Sequence, residues 1–359
     1  MKTRSAKEST ISALRFRRVV RALRTTWRTA MGRKSAATSM IVTVELEGGR
    51  RGVGEVPTSF AVPHETPDAI GEVLATARKM LISTDIGDYQ AILHRLRRAY
   101  PTFHMTRSGL EVALFRANLA YRGEGELAFW SAREKTLETD ITIPFLTDRD
   151  ELLAWLNHVS RVGFRAYKVK VSGRCEADLS LVGTVHEFLR RRCPQFTIRL
   201  DGNQGFTQRG CLMLLNRLAR NGVAVELMEQ PLPKDQYKAL KHLAKSSPVP
   251  VILDETVFTA EQCRRVADDG LGHGVNIKIA KSGIAESAAI LRIARSAGLK
   301  LMIGCMTETM IGLSAGIRLA AGTAAFDYVD LDAAHLMFGP ARQQGITVSG
   351  PRYLLKDGP

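Results

Sequence analysis

A (β/α)8 barrel preceded by an α+β capping domain is the α/β fold class that three features of this 359-residue chain predict. From about residue 140, eight short apolar runs follow one another. Stretches with helical periodicity separate them, which is the pattern of parallel βα units. Six of the eight runs carry an acid or a lysine as their last or next-to-last residue, and a parallel barrel carries its chemistry at its strand ends. An open doubly wound sheet would instead show a glycine-rich phosphate loop after its first strand. "TIPFLTDRD" (142–150) is no such loop.

The predicted strands, in order, are "DITIPF" (140–145), "YKVKV" (167–171), "TIRLD" (197–201), "VELME" (225–229), "VILDE" (251–255), "VNIKI" (275–279), "LMIG" (301–304) and "YVDLD" (328–332). Segments such as "EADLSLVGTVHEFLRR" and "ESAAILRIARSAG" read as the helices between them. Residues 12–130 follow a different pattern. "MIVTVELEGGRRGVGEV" (40–56) reads as two strands joined through "EGG", and "TPDAIGEVLATARKML" and "SGLEVALFRANLAYRG" as helices. The expected division is a capping domain over 1–130, a barrel over 131–340, and a segment over 341–359 that returns to the capping domain.

Composition narrows the setting. The chain is 45% apolar and 24% charged, ordinary values for a globular protein. No run approaches the 18 apolar residues of a membrane span, and no apolar stretch follows Met1, so neither a membrane partner nor secretion is expected. Five scattered cysteines without C-x-x-C spacing argue for reduced thiols in a cytoplasmic protein and against structural zinc. The net charge of +15 is local: residues 1–34 hold eleven Lys/Arg against Glu8, leaving +5 for the rest. That cluster suits a solvated basic strand. A nucleic-acid surface would want interleaved aromatics, and only Phe16 and Trp27 are present.

The strand ends assemble a constellation. Asp201, Glu229 and Asp254 close three consecutive strands. One acid at such a place caps the next helix or forms a salt bridge. Three converging acids repel, and a hard divalent cation, Mg2+, removes that cost through oxygen ligands. Lys168 and Lys170 point the same way from strand two, and Lys278 ends strand six, diametrically opposite in a ring of eight. Lys170 and Lys278 can then reach the two faces of one carbon. Lys168 is expected to lower the proton affinity of Lys170 by repulsion. Asp330 and Asp332, two apart on strand eight, suit a cationic ligand group. The competing reading for this last pair is neutralisation by the basic N-terminal segment.

"YKVKV", "LDGNQGF", "MEQP", "LDETVF" and "VNIKIAKSGI" resemble the enolase superfamily, muconate-lactonizing subgroup. A lysine base and Mg2+ are features of that superfamily. "LETDITI", "GCMTETMIGLSAG", "YVDLDAAHLM" and "QQGITVSG" narrow the resemblance to its dipeptide epimerases, the L-Ala-D/L-Glu epimerases above all. The resemblance spans residues 12–357. It implies an isomerase that inverts the α-carbon of a dipeptide's C-terminal residue through an enediolate. It implies metal ligation by Asp201, Glu229 and Asp254 and acid/base roles for Lys170 and Lys278. Lys168 would touch the substrate carboxylate, and Asp330 and Asp332 the α-ammonium. Thr142, Cys305, Met306 and Thr307 fall where substrate contacts lie. In the Ala-Glu enzymes a capping-domain loop supplies an arginine for the glutamate side chain; "TWRTAMGRKSA" places Gly32 there, with Arg33 next to it. Related chains also run on past the point where this one stops at "KDGP". The partner implied is a small-molecule dipeptide, with no nucleic acid and no membrane, and with room for a homo-oligomer. The alternatives are an N-acylamino-acid racemase, a cycloisomerase or o-succinylbenzoate synthase of the same superfamily, and a non-catalytic anion or nucleic-acid binder. Asp330 and Asp332 weigh against the cycloisomerase and the o-succinylbenzoate synthase, whose substrates offer no ammonium.

Overall fold

The computed structural model describes residues 8–340 and 342–356. Three antiparallel strands open the chain: β1 (Ile11–Thr29), β2 (Gly32–Leu46) and β3 (Arg51–Pro57), in the order β1-β2-β3. The expected hairpin is β2–β3. The basic stretch forms β1, an edge strand whose Arg15, Arg18, Arg21 and Arg24 side chains lie toward solvent or half-buried. Lys2, Arg4 and Lys7 of the same charge cluster lie outside the described residues.

Helices α1 (Pro67–Leu81), α2 (Tyr89–Ala99) and α3 (His104–Arg122) cover one face of this sheet. Their buried residues Ile70, Leu74, Ile92, Leu96, Leu110 and Leu114 pack with Leu14, Val42, Val44 and Val56 into one apolar core. Gly52 and Gly54 let α3 approach β3 closely. A Cβ at either position would stand 2.0 Å from a carbonyl oxygen, of Ala113 and Gly109 respectively.

After α4 (Glu126–Phe129) and β4 (Thr136–Glu138) the barrel begins. It runs β5 (Ile141–Ile143), α5 (Arg149–Ser160), β6 (Ala166–Lys170), α6 (Cys175–Arg192), β7 (Thr197–Asp201), α7 (Gln208–Arg220), β8 (Val225–Glu229) and α8 (Tyr237–Ser246). The second half is β9 (Val251–Leu253), α9 (Ala260–Asp269), β10 (Gly274–Ile277), α10 (Ile279–Ser296), β11 (Lys300–Gly304), α11 (Met310–Thr323) and β12 (Tyr328–Asp330). The eight strands are parallel neighbours from β5 to β12. The seam between the last and the first closes through Asp140 N–H to the Val329 carbonyl and Thr139 Oγ1 accepting from Leu331 N–H. All eight expected strands are present, and their near-continuous burial is what a parallel sheet under helices requires.

The tail after α12 (Ala333–Leu336) corrects an expectation. β13 (Arg342–Gln343), β14 (Ile346–Ser349) and β15 (Arg352–Leu355) pair with β4, in the order β13-β14-β15-β4, and not with the capping sheet. The reason is apolar: Ile346, Tyr353 and Leu355 are buried in the barrel's core, and Tyr353 Oη donates to the Leu331 carbonyl. Asp357, Gly358 and Pro359 of "KDGP" lie outside the described residues.

Candidate active site

The barrel register sets the site. Lys170 lies opposite Asp201 across β6–β7, and Asp201 opposite Glu229 across β7–β8. Asp254 follows β9, and Lys278 follows β10 at the start of α10. All are buried, at no more than 5% exposure, so their charges must balance locally. Lys170 Nζ donates to Asp201 Oδ2 at 2.5 Å. Lys278 Nζ donates to Asp254 Oδ2 at 2.7 Å and lies 4.0 Å from Glu229 Oε1. The two expected acid/base lysines thus stand four strands apart, each against a carboxylate of the adjoining strand.

Lys168 has counter-charges of its own. Its ammonium donates to Asp330 Oδ2 and lies 3.4 Å from Glu229 Oε2. Burial would lower its proton affinity, but Asp330, Glu229, Asp201 and Asp140 together hold it well above the usual lysine range. Each lysine of the pair has its own counter-charge, so repulsion between them is not the dominant interaction.

Sequence reasoning did not single out several residues of the site. Lys281, one turn after Lys278, is fully buried and donates to Asp254 Oδ1 and to the Asp254 carbonyl, both at 2.6 Å. Burial of Asp254 works against its charge; Lys278 and Lys281 overcome that and hold its carboxyl well below the usual range. Asn276 Nδ2 donates to Glu229 Oε1 at 2.7 Å, which aims that carboxylate. Glu255 is pushed up to about 8 by burial and then by Asp254 and Asp201. The i, i+3 spacing of Lys278 and Lys281 was a readable signal. The roles of Asn276 and Glu255 depend on neighbours from other strands.

Two groups of oxygen donors could hold a divalent cation. Asp201, Glu229 and Asp254, the set expected from the sequence, form the first, although their carboxylate oxygens do not all lie within 4.8 Å of one another. Glu229 Oε2 is buried there without a hydrogen bond, and burial and Asp201 push the Glu229 carboxyl up. Lys168, 3.4 Å from Oε2, and Lys278, 4.0 Å from Oε1, offset this only in part. The absence of nitrogen or sulfur donors suits a hard ion such as Mg2+. The second group is Asp140, Asp330 and Asp332, whose carboxylate oxygens lie within 4.8 Å of one another. Here Arg199 donates to Asp140 at 2.8 Å, Lys168 to Asp330, and the Thr142 N–H to Asp332 at 2.7 Å. These partners come from the barrel itself, not from the basic N-terminal strand. Asp330 and Asp332 line the cavity while Asp140 does not. Asp330 Oδ1 and Thr142 Oγ1 are buried without hydrogen bonds.

The cavity is roofed by the capping domain. Trp27, Met31 and Lys34 from the β1–β2 hairpin and Thr58–Ala61 after β3 line it together with Lys168, Lys170, Lys278, Thr142, Cys305, Met306, Thr307, Asp330 and Asp332. Cys305 Sγ donates to Asp332 Oδ1 at 3.7 Å, and burial together with Asp332 and Asp330 keeps it a thiol. Gly32 lies beneath the Phe60 ring and Arg33 is exposed, so neither presents a charge to the cavity. Lys34 does.

The chain is similar to known proteins over most of its length. Residues 151–359 match the "Enolase C-terminal domain-like" family. A hydrophobic dipeptide epimerase of Citrifermentans bemidjiense is 32% identical over 333 residues, 89% of this chain and 88% of that protein. An L-Ala-D/L-Glu epimerase of Thermotoga maritima is 30% identical over 324 residues, 90% of this chain and 92% of that one. The fold also superposes on a dipeptide epimerase from Enterococcus faecalis V583, solved with Mg and the dipeptide L-Leu-L-Tyr, with a TM-score of 0.87 at 25% identity over 97% of this chain and 98% of that one. A capping sheet over an eight-stranded parallel barrel, buried carboxylates and lysines at the strand ends, and this extent of similarity together make the chain a member of the enolase superfamily.

Proposed function

We propose that the protein is a Mg2+-dependent epimerase acting on the α-carbon of the C-terminal residue of a dipeptide. The observation that carries the reading is the placement of Lys170 and Lys278 on opposite sides of the barrel mouth, with Asp201, Glu229 and Asp254 on the strands between them. Those three carboxylates would hold the ion. We prefer them to the cluster around Asp140 because they stand on β7, on β8 and just after β9, between the strands of the two lysines, whereas Asp140 precedes β5 and is already paired with Arg199. Magnesium, when bound, supplies positive charge that draws electrons from the substrate carboxylate and so acidifies the adjacent C–H bond.

The chain's own groups do the rest. Lys170 takes the α-proton on one face, breaking the C–H bond, and the electron pair spreads into the carboxylate. Lys278 forms the new C–H bond on the other face, and the centre inverts. Lys168 steadies the substrate carboxylate. Asp330 and Asp332 accept from the substrate's α-ammonium, with Thr142 and the stretch Cys305, Met306 and Thr307 enclosing the peptide. Among the described residues no helix is long and apolar enough to cross a membrane, and all five cysteines are free, in keeping with a cytoplasmic enzyme.

The test is incubation of an L,L-dipeptide library in D2O with Mg2+, following deuterium at the α-carbon by mass. The expected result is exchange with inversion in wild type. In Lys278→Ala inversion is lost, while Lys170 still exchanges the proton of one stereoisomer. Normal inversion by Lys278→Ala would overturn the assignment. An N-acetylated dipeptide loses the contact to Asp330 and Asp332, worth about 1.5–3 kcal/mol, and should react about ten- to a hundredfold more slowly in kcat/KM. Equal turnover of both forms would favour an N-acylamino-acid substrate instead.

A further inference from the structure

Of the four lysines lining the cavity, three are paired with carboxylates and one is not. Lys168, Lys170 and Lys278 each face a carboxylate. Lys34, half-buried at the start of β2, has no carboxylate within ion-pair distance among the described residues. Its ammonium donates to Thr307 Oγ1 at 2.5 Å and lies 5.5 Å from the centre of the Phe60 ring. A neutral hydroxyl and an aromatic face compensate a buried cation only in part. Burial pulls its proton affinity down, to about 8. A negative charge brought into the cavity would complete this group.

The position of Lys34 says which part of a ligand would bring that charge. Its anchor, Thr307, lies two residues beyond Cys305, and Cys305 donates to Asp332. Lys34 therefore reaches the loop after β11 whose Cys305 contacts Asp332, one of the two carboxylates read above as the α-ammonium site. Trp27, from the same hairpin, instead has its ring 5.4 Å from Lys170 Nζ, beside the carbon that would exchange its proton. One capping element thus offers an aromatic surface to the C-terminal residue and a cation to the N-terminal one.

We infer that Lys34 is a specificity-determining residue that selects substrates with an acidic side chain on the N-terminal residue. This rests on the proposed dipeptide epimerisation. It differs from a preference for an acidic C-terminal residue, which the missing charge at Gly32 does not support.

The experiment compares isosteric pairs. Deuterium incorporation is measured in D2O with Mg2+ for L-Glu-L-Leu against L-Gln-L-Leu, and for L-Leu-L-Glu against L-Leu-L-Gln. In wild type the first pair should differ about ten- to a hundredfold in kcat/KM in favour of the acid, the range of one charge-assisted contact. The second pair should not favour the acid. In Lys34→Met the Glu/Gln ratio of the first pair should collapse toward one, and Lys34→Arg should retain it. Because the readout is a ratio within one protein sample, a general loss of fold or rate does not imitate the effect. A wild-type ratio near one, a ratio that survives Lys34→Met, or an acid preference confined to the second pair would each overturn the inference. Exchange into none of the four dipeptides, nor into any of the wider library, would instead refute the epimerase reading on which it depends.

Discussion

Asp254 is the residue on which most of the candidate site converges. Its carboxylate accepts from Lys278 and Lys281, and its backbone N–H donates to Gln230 Oε1. Asp254→Asn keeps the shape and removes the charge, leaving two buried ammonium groups without their shared partner. Mg2+ that binds only the folded protein raises its melting temperature. The expected result is that millimolar Mg2+ stabilises wild type against heat, that Asp254→Asn loses most of this shift, and that its epimerisation is abolished. Full activity of wild type in excess EDTA would rule out the metal. Lys281→Met tests positioning rather than chemistry. With Lys278 intact, it should weaken the Mg2+-induced shift more than it changes the thermal stability of the metal-free protein, as calorimetry with and without the ion would register.

At the scale of elements, the decisive joint is between the capping domain and the barrel helices. Glu55 on β3 accepts from Thr309 N–H and Oγ1 and from Gly312 N–H, satisfying the N-terminus of α11. Ser108 of α3 donates to the Ile279 carbonyl, and Glu111 of α3 accepts from Ala285 N–H just after Gly283. Gly283 is the break in α10, with φ at +77°, and a Cβ there would meet Glu111 Oε2 at 2.2 Å. This joint holds Trp27, Lys34 and Phe60 over the barrel mouth. Glu55→Ala removes charge-assisted bonds worth about 1.5–3 kcal/mol each. It should lower the melting temperature and raise KM more than it lowers kcat, since the lysines and carboxylates of the barrel stay in place. Gly54→Ala forces α3 off β3; overpacking costs typically about 1–3 kcal/mol. A thermal melt of that variant should show a loss at least that large.

For the molecule as a whole, the buried acids set a pH dependence. Burial raises Glu111 to about 7 and Glu308 to about 8, above their unfolded value of 4.5. The folded state therefore binds more protons than the unfolded chain between about pH 4.5 and these values. Stability falls as pH rises through that window, by up to about 1.4 kcal/mol per pH unit for each group. Glu111→Gln removes one such group. The melting temperature of that variant should gain on wild type as pH rises from 5 to 8 and run parallel to it below pH 4. A constant offset across the range would mean that Glu111 is ionised throughout.

The alternation of strands and helices after residue 140, and the acids and lysines at the strand ends, were legible because they depend on local periodicity and on a rule that holds for every parallel barrel. Lys168, Lys170, Asp201, Glu229, Asp254, Lys278, Asp330 and Asp332 could be singled out from their places in eight strands alone. The partners of those residues could not. That Lys168 is neutralised by Asp330, from a strand 162 residues later, follows from closure of the ring. The same holds for Arg199 on Asp140, and for β15, which pairs with β4 while its Tyr353 and Leu355 are buried in the barrel core. Lys34 shows the division most plainly. Its alternation with Gly32 was in the chain to be read once β2 was known to begin there, since residues two apart in a strand share a face. Which face looks into the cavity was decided only when the capping sheet docked on the barrel. Charge balance and burial belong to contacts between distant segments, and no local pattern encodes them.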